Sequence, residues 1–205
     1  MPIVMVEATD LISLGNGVCI WQIYDPTMKA DLSSSAVKSG NHLFLVDPIP
    51  LAPVPLADLR TLGPVGAVLV TNANHPRAAG SLAQQLDARI FAPESSKKEF
   101  PNTDVRACPS GEIVPGLTAI PIEGAVLGET VFHFSDGGGT LVVGDALINF
   151  EPHGFCLLPA KYCSNQRLMR ASLRQLLEWP FERLLFAHGS PILTAARERL
   201  GALLR

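Results

Sequence analysis

The sequence predicts a mixed α/β fold, and three observations support this class. Short runs of apolar, often β-branched residues recur along the 205-residue chain and are typical of strands. Three other stretches place apolar residues at helical spacing. A glycine-rich turn at residues 136–139 connects two of the predicted strands as a hairpin, because glycine readily adopts the positive φ angles that such turns need.

The predicted elements can be placed in chain order. The predicted strands are 18–24, 42–46, 67–70, 89–92, 117–121, 130–135, 140–143 and 184–187. The predicted helices are 78–86, 166–178 and a C-terminal helix with Thr194 as its N-cap. Helix 166–178 is the clearest, since Met169 and Leu173 share one face and Pro180 follows its end. The proline-rich stretch 47–55 is too apolar for a flexible tether, so we predict a rigid extended loop there.

Composition indicates one globular domain over residues 1–205. A hydrophobic content of 47% with 17% charged residues excludes intrinsic disorder. The net charge of −3, with no basic run longer than Lys97–Lys98, argues against a nucleic-acid partner. The four cysteines match no metal or redox spacing, and we find neither a signal peptide nor a membrane-spanning run. We expect a cytoplasmic protein with no membrane partner; its oligomeric state is left open.

Polar residues follow three of the predicted strands at the point where each strand ends. They are Asn72, Asn74, His75 and Arg77 after the first of these strands, Asp145 after the second and His188 after the third. Ligands of open α/β sheets bind at the carboxyl ends of the strands, where loops build sites. We therefore expect Asn72, His75, Arg77, Asp145 and His188 to converge on one pocket. The structural alternatives are a turn residue for Asp145 and a capping or hydrogen-bonded role for each histidine.

A further segment, residues 157–163, lies between two of these strand ends. Its Lys161 and Tyr162 are candidates for the mouth of the pocket, whereas the alternative is an ordinary surface loop.

The order of these strand ends resembles the metallo-β-lactamase superfamily, whose fold is a four-layer αββα sandwich. In that family one strand ends in Thr-His-x-His-x-Asp-His-x-Gly, a later one in Gly-Asp and a last one in His-Gly. Here Thr71, Gly144-Asp145 and His188-Gly189 match these motifs, and strand 43–47 is similar to a family strand that ends in aspartate. The resemblance covers residues 15–204 and implies this fold with a hydrolase-like pocket.

The resemblance also implies that most metal ligands have been lost. The seven ligand positions of the family read Asn72, Asn74, Pro76, Arg77, Ala125, Asp145 and His188. Proline, arginine and alanine cannot coordinate, and asparagine is a poor zinc ligand, so we expect no metal cofactor and no two-metal hydrolysis. One alternative is a hydrolase with catalytic His75, Asp145 and His188 around a single zinc. The other is a non-catalytic pseudoenzyme whose former active site binds a small molecule or a protein partner.

The resemblance also implies a partner for Arg77. It stands at a ligand position of the second metal, and Asp145 stands where a carboxylate touches both metals. Without cations Asp145 would be a partly buried, uncompensated charge. We predict that Arg77 pairs with Asp145, directly or through one water, because a guanidinium is always charged and can bond a carboxylate twice. The alternative is a solvent-facing arginine.

Overall fold

The computed structural model describes residues 6–27, 29–101 and 103–205. The strands within these residues are β1 (Ile12–Gly15), β2 (Val18–Asp25), β3 (Ala30–Ser39), β4 (His42–Val46), β5 (Val65–Leu69), β6 (Arg89–Ala92), β7 (Val105–Ala107), β8 (Gly111–Val114), β9 (Leu117–Pro121), β10 (Thr130–Phe134), β11 (Thr140–Val143), β12 (Leu147–Phe150), β13 (Gly154–Leu157) and β14 (Arg183–Phe186). The α-helices are α1 (Pro53–Thr61), α2 (Ala79–Gln85), α3 (Gln166–Arg174) and α4 (Ala196–Leu204).

Two sheets form the centre of the molecule. The larger one has seven strands in the order β1-β2-β3-β4-β5-β6-β7, and β4 to β7 run parallel. The smaller one has five strands in the order β14-β11-β10-β9-β8, with β14 parallel to β11. Strands β12 and β13 form a separate hairpin.

Three apolar cores hold the layers together, because each sheet buries both of its faces. Helices α1 and α2 cover the seven-stranded sheet through residues such as Leu59 and Leu82. Helices α3 and α4 cover the five-stranded sheet through residues such as Met169 and Leu200. A third core, which includes the fully buried Phe132, lies between the two sheets. The predicted four-layer αββα sandwich is confirmed.

Several regions depart from the sequence-based expectations, and the predicted strands do not include β1, β3, β7, β8, β12 or β13. The proline-rich stretch does not stay extended, because α1 begins at Pro53, and the first helical turn tolerates a residue without an N–H. Strand β3 was not predicted, since its centre, residues 33–35, is polar; these serines are nevertheless buried. In addition, the C-terminal helix begins at Ala196 rather than directly after Thr194.

The sandwich brings several carboxyl strand ends to one place. Strand β3 links the two sheets there, since the Ser33 amide donates to the Ala187 carbonyl at 2.8 Å. Asp47 follows β4, Thr71 follows β5, Asp145 follows β11 and His188 follows β14. None of the helices in the described residues is long and apolar enough to cross a lipid bilayer.

Candidate functional site

A triangle of potential ligand atoms lies at these strand ends. Oδ1 of Asp145 is 3.2 Å from Nε2 of His75 and 3.3 Å from Nε2 of His188. The two Nε2 atoms are themselves 3.3 Å apart. All three residues are buried, and their arrangement is suitable for a metal ion. The structure thus brings together three of the five residues that were expected to converge on one pocket.

The outer nitrogen of each imidazole has an acceptor of its own. Nδ1 of His75 lies 2.9 Å from Oδ2 of Asp47, and Nδ1 of His188 lies 3.3 Å from the Asp31 carbonyl. If each Nδ1 carries the proton, both Nε2 lone pairs face Oδ1 of Asp145. Three electron-rich atoms then face one another, an arrangement that needs a metal ion or additional protons between them.

Asp47 holds the chain segment that carries His75. Its carboxylate accepts hydrogen bonds from the Thr71 amide at 2.8 Å and from the Thr71 hydroxyl at 2.5 Å. Its φ of 46° turns the chain sharply after β4. Burial alone would raise the pKa of Asp47, but His75, Arg77 and Thr71 together hold this pKa below its usual range.

The two carboxylates also determine the protonation of His75. Burial and the charge of Arg77 lower the pKa of His75, but Asp47 and Asp145 outweigh them and raise it to about 9. Burial likewise opposes ionisation of Asp145, yet its contacts with His188 and His75 hold its pKa well below the usual range. Without a metal ion, His75 is therefore an imidazolium between two carboxylates at neutral pH.

The second oxygen of Asp145 has different neighbours. Its Oδ2 lies 3.3 Å from Nδ2 of Asn72 and 3.2 Å from Nδ2 of Asn74, which both donate to it. Asn72 is fully buried, and its Nδ2 also donates to Oε2 of Glu129 at 2.8 Å. Amide N–H groups cannot coordinate a cation, so the described residues offer no metal site on this side of Asp145.

Glu129 is a site residue that the sequence analysis missed. It is buried directly before β10 and accepts a hydrogen bond from the Ala146 amide at 3.0 Å. Burial and the nearby charge of Asp145 raise the pKa of Glu129 to about 8. The only signal in the sequence is a glutamate beside an apolar strand. Ala125, placed by the resemblance at a ligand position, is buried four residues earlier and its side chain cannot coordinate.

Gly144 allows the two strand ends to approach closely. A Cβ atom at this position would lie 2.5 Å from Oγ1 of Thr71 and 2.7 Å from Nδ2 of Asn72. Both distances are too short for real carbon contacts, so only glycine fits between these side chains.

Arg77 does not form the predicted direct pair with Asp145. Its guanidinium donates instead to the carbonyls of Ser33 at 2.7 Å, Asp47 at 3.0 Å and Ala187 at 3.2 Å. The reason is geometric, because Arg77 has a left-handed φ of 38° and lies beside β3 and the residues that directly follow β4 and β14, whose carbonyls accept from its guanidinium. Arg77 therefore connects the chain segments that carry Asp47 and His188.

A cavity of about 700 Å³ opens onto this cluster. Among the predicted pocket residues, Asn74, Tyr162, Asp145 and His188 line it. Asn72, Arg77 and His75 do not, because they lie behind the lining residues and are engaged in the contacts described above. Lys161 does not line it either; its Nζ lies over the Tyr162 ring, 4.6 Å from the centroid.

The family of this protein follows from a match to a family model along almost the whole chain. A family model described as "Metallo-beta-lactamase superfamily" matches residues 14–204. The chain belongs to the metallo-β-lactamase superfamily. The residues on which the sequence-based resemblance rests, Thr71, Gly144-Asp145 and His188-Gly189, lie in one cluster with Asn72 and Asn74.

Solved metallo-β-lactamases have the same fold. The DIM-1 metallo-β-lactamase exposed to ceftazidime is 11% identical with a TM-score of 0.71, over 98% of this chain and 97% of that one. A metallo-β-lactamase from Pontibacter korlensis is 13% identical with a TM-score of 0.70, over 95% and 98%. One from Erythrobacter litoralis is 16% identical with a TM-score of 0.68, over 98% and 94%. Identities this low establish the fold alone. No curated protein sequence matches the chain.

Proposed function

We propose that this metallo-β-lactamase superfamily member is a hydrolase with a single-metal site formed by His75, Asp145 and His188. The observation that carries the proposal is the size of the ligand triangle, whose sides are 3.2, 3.3 and 3.3 Å. Two ligand atoms on a tetrahedral zinc, each about 2.0–2.1 Å from the metal, lie about 3.3–3.4 Å apart. The donor set of two imidazoles and one carboxylate is also one that catalytic zinc sites use, with a further position open.

The surroundings of the two histidines support the same proposal. Asp47 accepts from Nδ1 of His75, and the Asp31 carbonyl faces Nδ1 of His188. Metal-ligating histidines in proteins usually donate their outer N–H to a carboxylate or a backbone carbonyl, which fixes the tautomer and the ring orientation. Both rings therefore already direct Nε2 toward the same point.

The side-chain amides beside Oδ2 of Asp145 explain why one ion, and not two, is proposed. Asn72 and Asn74 both donate to Oδ2 of Asp145, which leaves only Oδ1 for a cation. Asn72 is held in this orientation by Glu129, which accepts from the same Nδ2 atom.

The cavity walls suit a small substrate with an apolar body. Val126, Ile148, Phe150 and Leu158 line the cavity together with Tyr162. Such walls exclude water and bind apolar groups, while the exposed Nδ2 group of Asn74 lies at the polar end beside Asp145. When bound, a zinc ion supplies Lewis acidity, which polarises a substrate oxygen or a water molecule.

The competing function is a metal-free pseudoenzyme, and one observation favours it. A protonated His75 between Asp47 and Asp145 completes the charge balance of the buried cluster without any metal ion. In that case the cavity would bind a ligand or a partner without reaction.

Metal analysis of protein purified without chelator separates the two functions. We expect about one zinc per chain, lost in Asp145→Asn and in His188→Ala, and retained in the exposed control Asp58→Asn. Zinc-dependent turnover of a panel of small esters, lactones and phosphoesters should disappear on chelation and return with zinc. A chain that binds no zinc at micromolar concentrations would contradict the single-zinc proposal and favour the metal-free alternative, and two zinc ions per chain would contradict the role given to the amides.

A further inference from the structure

A second cavity of about 510 Å³ lies at the other ends of the parallel strands. We call it the distal cavity and define it by His42, Phe44, Arg89, Phe91, Arg106 and Ile113, which line it. His42 begins β4 and Arg89 begins β6, whereas the candidate metal site follows the carboxyl ends of β4 and β5. The two cavities therefore lie at opposite ends of the seven-stranded sheet and share no lining residue.

The rim of the distal cavity is cationic. Arg89 and Arg106 are exposed, and neither forms a hydrogen bond or an ion pair with any side chain in the described part of the chain. Phe91 is the register partner of Arg106, and Arg89 precedes Phe91 by two residues, so both guanidinium-bearing side chains leave the same sheet face. No carboxylate is among the described residues that line the cavity. An anion held by both guanidinium groups would gain charge-assisted hydrogen bonds.

The floor of the distal cavity is apolar and aromatic. Phe44 is buried between the sheets, with its ring centroid 6.0 Å from that of Phe134, and is therefore held in place. Phe91 and Ile113 pack against the same core but are only half-buried, so part of each remains open to the cavity. This combination matches a ligand that has a flat apolar body and a charged end.

Two further features of the cavity favour a bound ligand: open space beside Gly66 and an unpartnered hydroxyl at Ser39. A Cβ atom at Gly66 would lie 3.0 Å from Cβ of His42 and 3.2 Å from the Phe44 ring, so glycine keeps this wall open. The hydroxyl of Ser39, another lining residue, is buried without a hydrogen-bond partner among the described residues. Such an unsatisfied group costs folding free energy and is uncommon in native proteins.

We propose that the distal cavity binds a small aromatic oxyanion, a carboxylate or a phosphate, with its charged group between Arg89 and Arg106 and its ring on Phe44, Phe91 and Ile113. The proposal does not rest on the metal site, because the two cavities have no residue in common.

Calorimetric titration of the full chain tests this proposal, after treatment with EDTA so that no metal ion at the other site can capture the probes. The probes are 1-naphthoate and 1-naphthyl phosphate, with neutral 1-naphthol and inorganic phosphate for comparison. We expect saturable binding of at least one naphthyl anion at one site per chain. Naphthol and phosphate alone should bind at least ten-fold more weakly, because naphthol lacks the charged group and phosphate lacks the aromatic ring.

Charge-matched variants locate the binding site. Arg89→Gln/Arg106→Gln should weaken binding of the naphthyl anion at least ten-fold, whereas Lys98→Gln/Arg167→Gln, which changes two exposed cations elsewhere, should leave it unchanged. Neither double variant changes a buried side chain, so both should fold, and circular dichroism checks this. The proposal is overturned if no naphthyl anion binds saturably, if both double variants bind equally well, or if inorganic phosphate binds as tightly as the naphthyl anions.

Discussion

The two oxygens of Asp145 face two unlike surroundings. On the histidine side, formed by His75, His188 and Asp47, Oδ1 meets two ring nitrogens that can coordinate a cation. On the amide side, formed by Asn72, Asn74 and Glu129, Oδ2 meets N–H donors that cannot. Oδ2 of Asp145 thus accepts hydrogen bonds from two amides, whereas Oδ1 remains available to a metal ion or to a protonated histidine. Under the proposed function, this difference limits the site to one cation while its central carboxylate stays buried.

Arg77 gives the largest expected effect on stability, and it supports the histidine side. Arg77→Ala removes three charge-assisted hydrogen bonds to carbonyls, of which those of Asp47 and Ala187 keep one other donor each. We expect the free energy of unfolding to fall by about 3 kcal/mol or more. Denaturant unfolding measures this, with the exposed Arg167→Ala as control. Because the partners are carbonyls, the loss should persist in an Asp145→Asn background. If it vanished there, Arg77 would act mainly as the counterion of Asp145.

The amide side can be tested with a matched pair of substitutions. Asn72→Ala leaves Glu129 and Oδ2 of Asp145 short of a buried donor, so we expect a loss of about 2–3 kcal/mol in the free energy of unfolding. Asn74→Ala removes an exposed amide whose place water can take, so we expect less than about 1 kcal/mol. Equal losses in the two variants, measured by denaturant unfolding, would contradict the division between a buried and an exposed donor.

Asp47→Asn addresses the histidine side without touching a ligand. The variant keeps the shape of the side chain but weakens the acceptor for Nδ1 of His75. Removal of such an outer partner typically lowers metal affinity by about 10- to 100-fold. Competition with a fluorescent zinc chelator measures the affinity, and Asp58→Asn is the control. An unchanged affinity in Asp47→Asn would mean that the charge of Asp47 does not support metal binding by His75.

The pH dependence of the metal-free protein gives the smallest expected effect. Because the folded-state pKa of His75 is raised from 6.5 to about 9, its contribution to stability is complete below pH 6.5 and disappears as the pH rises through 9. Glu129, whose pKa is raised to about 8, acts in the same direction between pH 4.5 and 8. We expect the free energy of unfolding in EDTA to fall by about 1.4 kcal/mol or more between pH 6.5 and 9.

His75→Gln provides the control for this profile. The variant should retain only the Glu129 contribution, so its stability should vary less between pH 8 and 9 than that of the unaltered protein. Identical profiles would show that folding does not raise the pKa of His75.

The sequence predicted the parts of the site that depend on strand ends. Apolar strands followed by Asn72, Asp145 and His188 were recognisable, and sheet topology then required these residues to meet. Glu129 escaped prediction because its partners are two backbone amides and a side chain 57 positions away, a relation that no local pattern records. Arg77 was recognised as a site residue, but the predicted direct pair with Asp145 was wrong. Its partners are backbone carbonyls of three chain segments, and no side-chain pattern in the sequence records such contacts.

Gly144 has a consequence for how this site can change over evolutionary time. Without a side chain, it lets the side chains of Thr71 and Asn72 pack directly against its backbone. Any larger residue at 144 would have to displace both of them, and with Asn72 the donor that Glu129 and Asp145 share. Evolutionary change on the amide side is therefore restricted by a residue that makes no polar side-chain contact of its own.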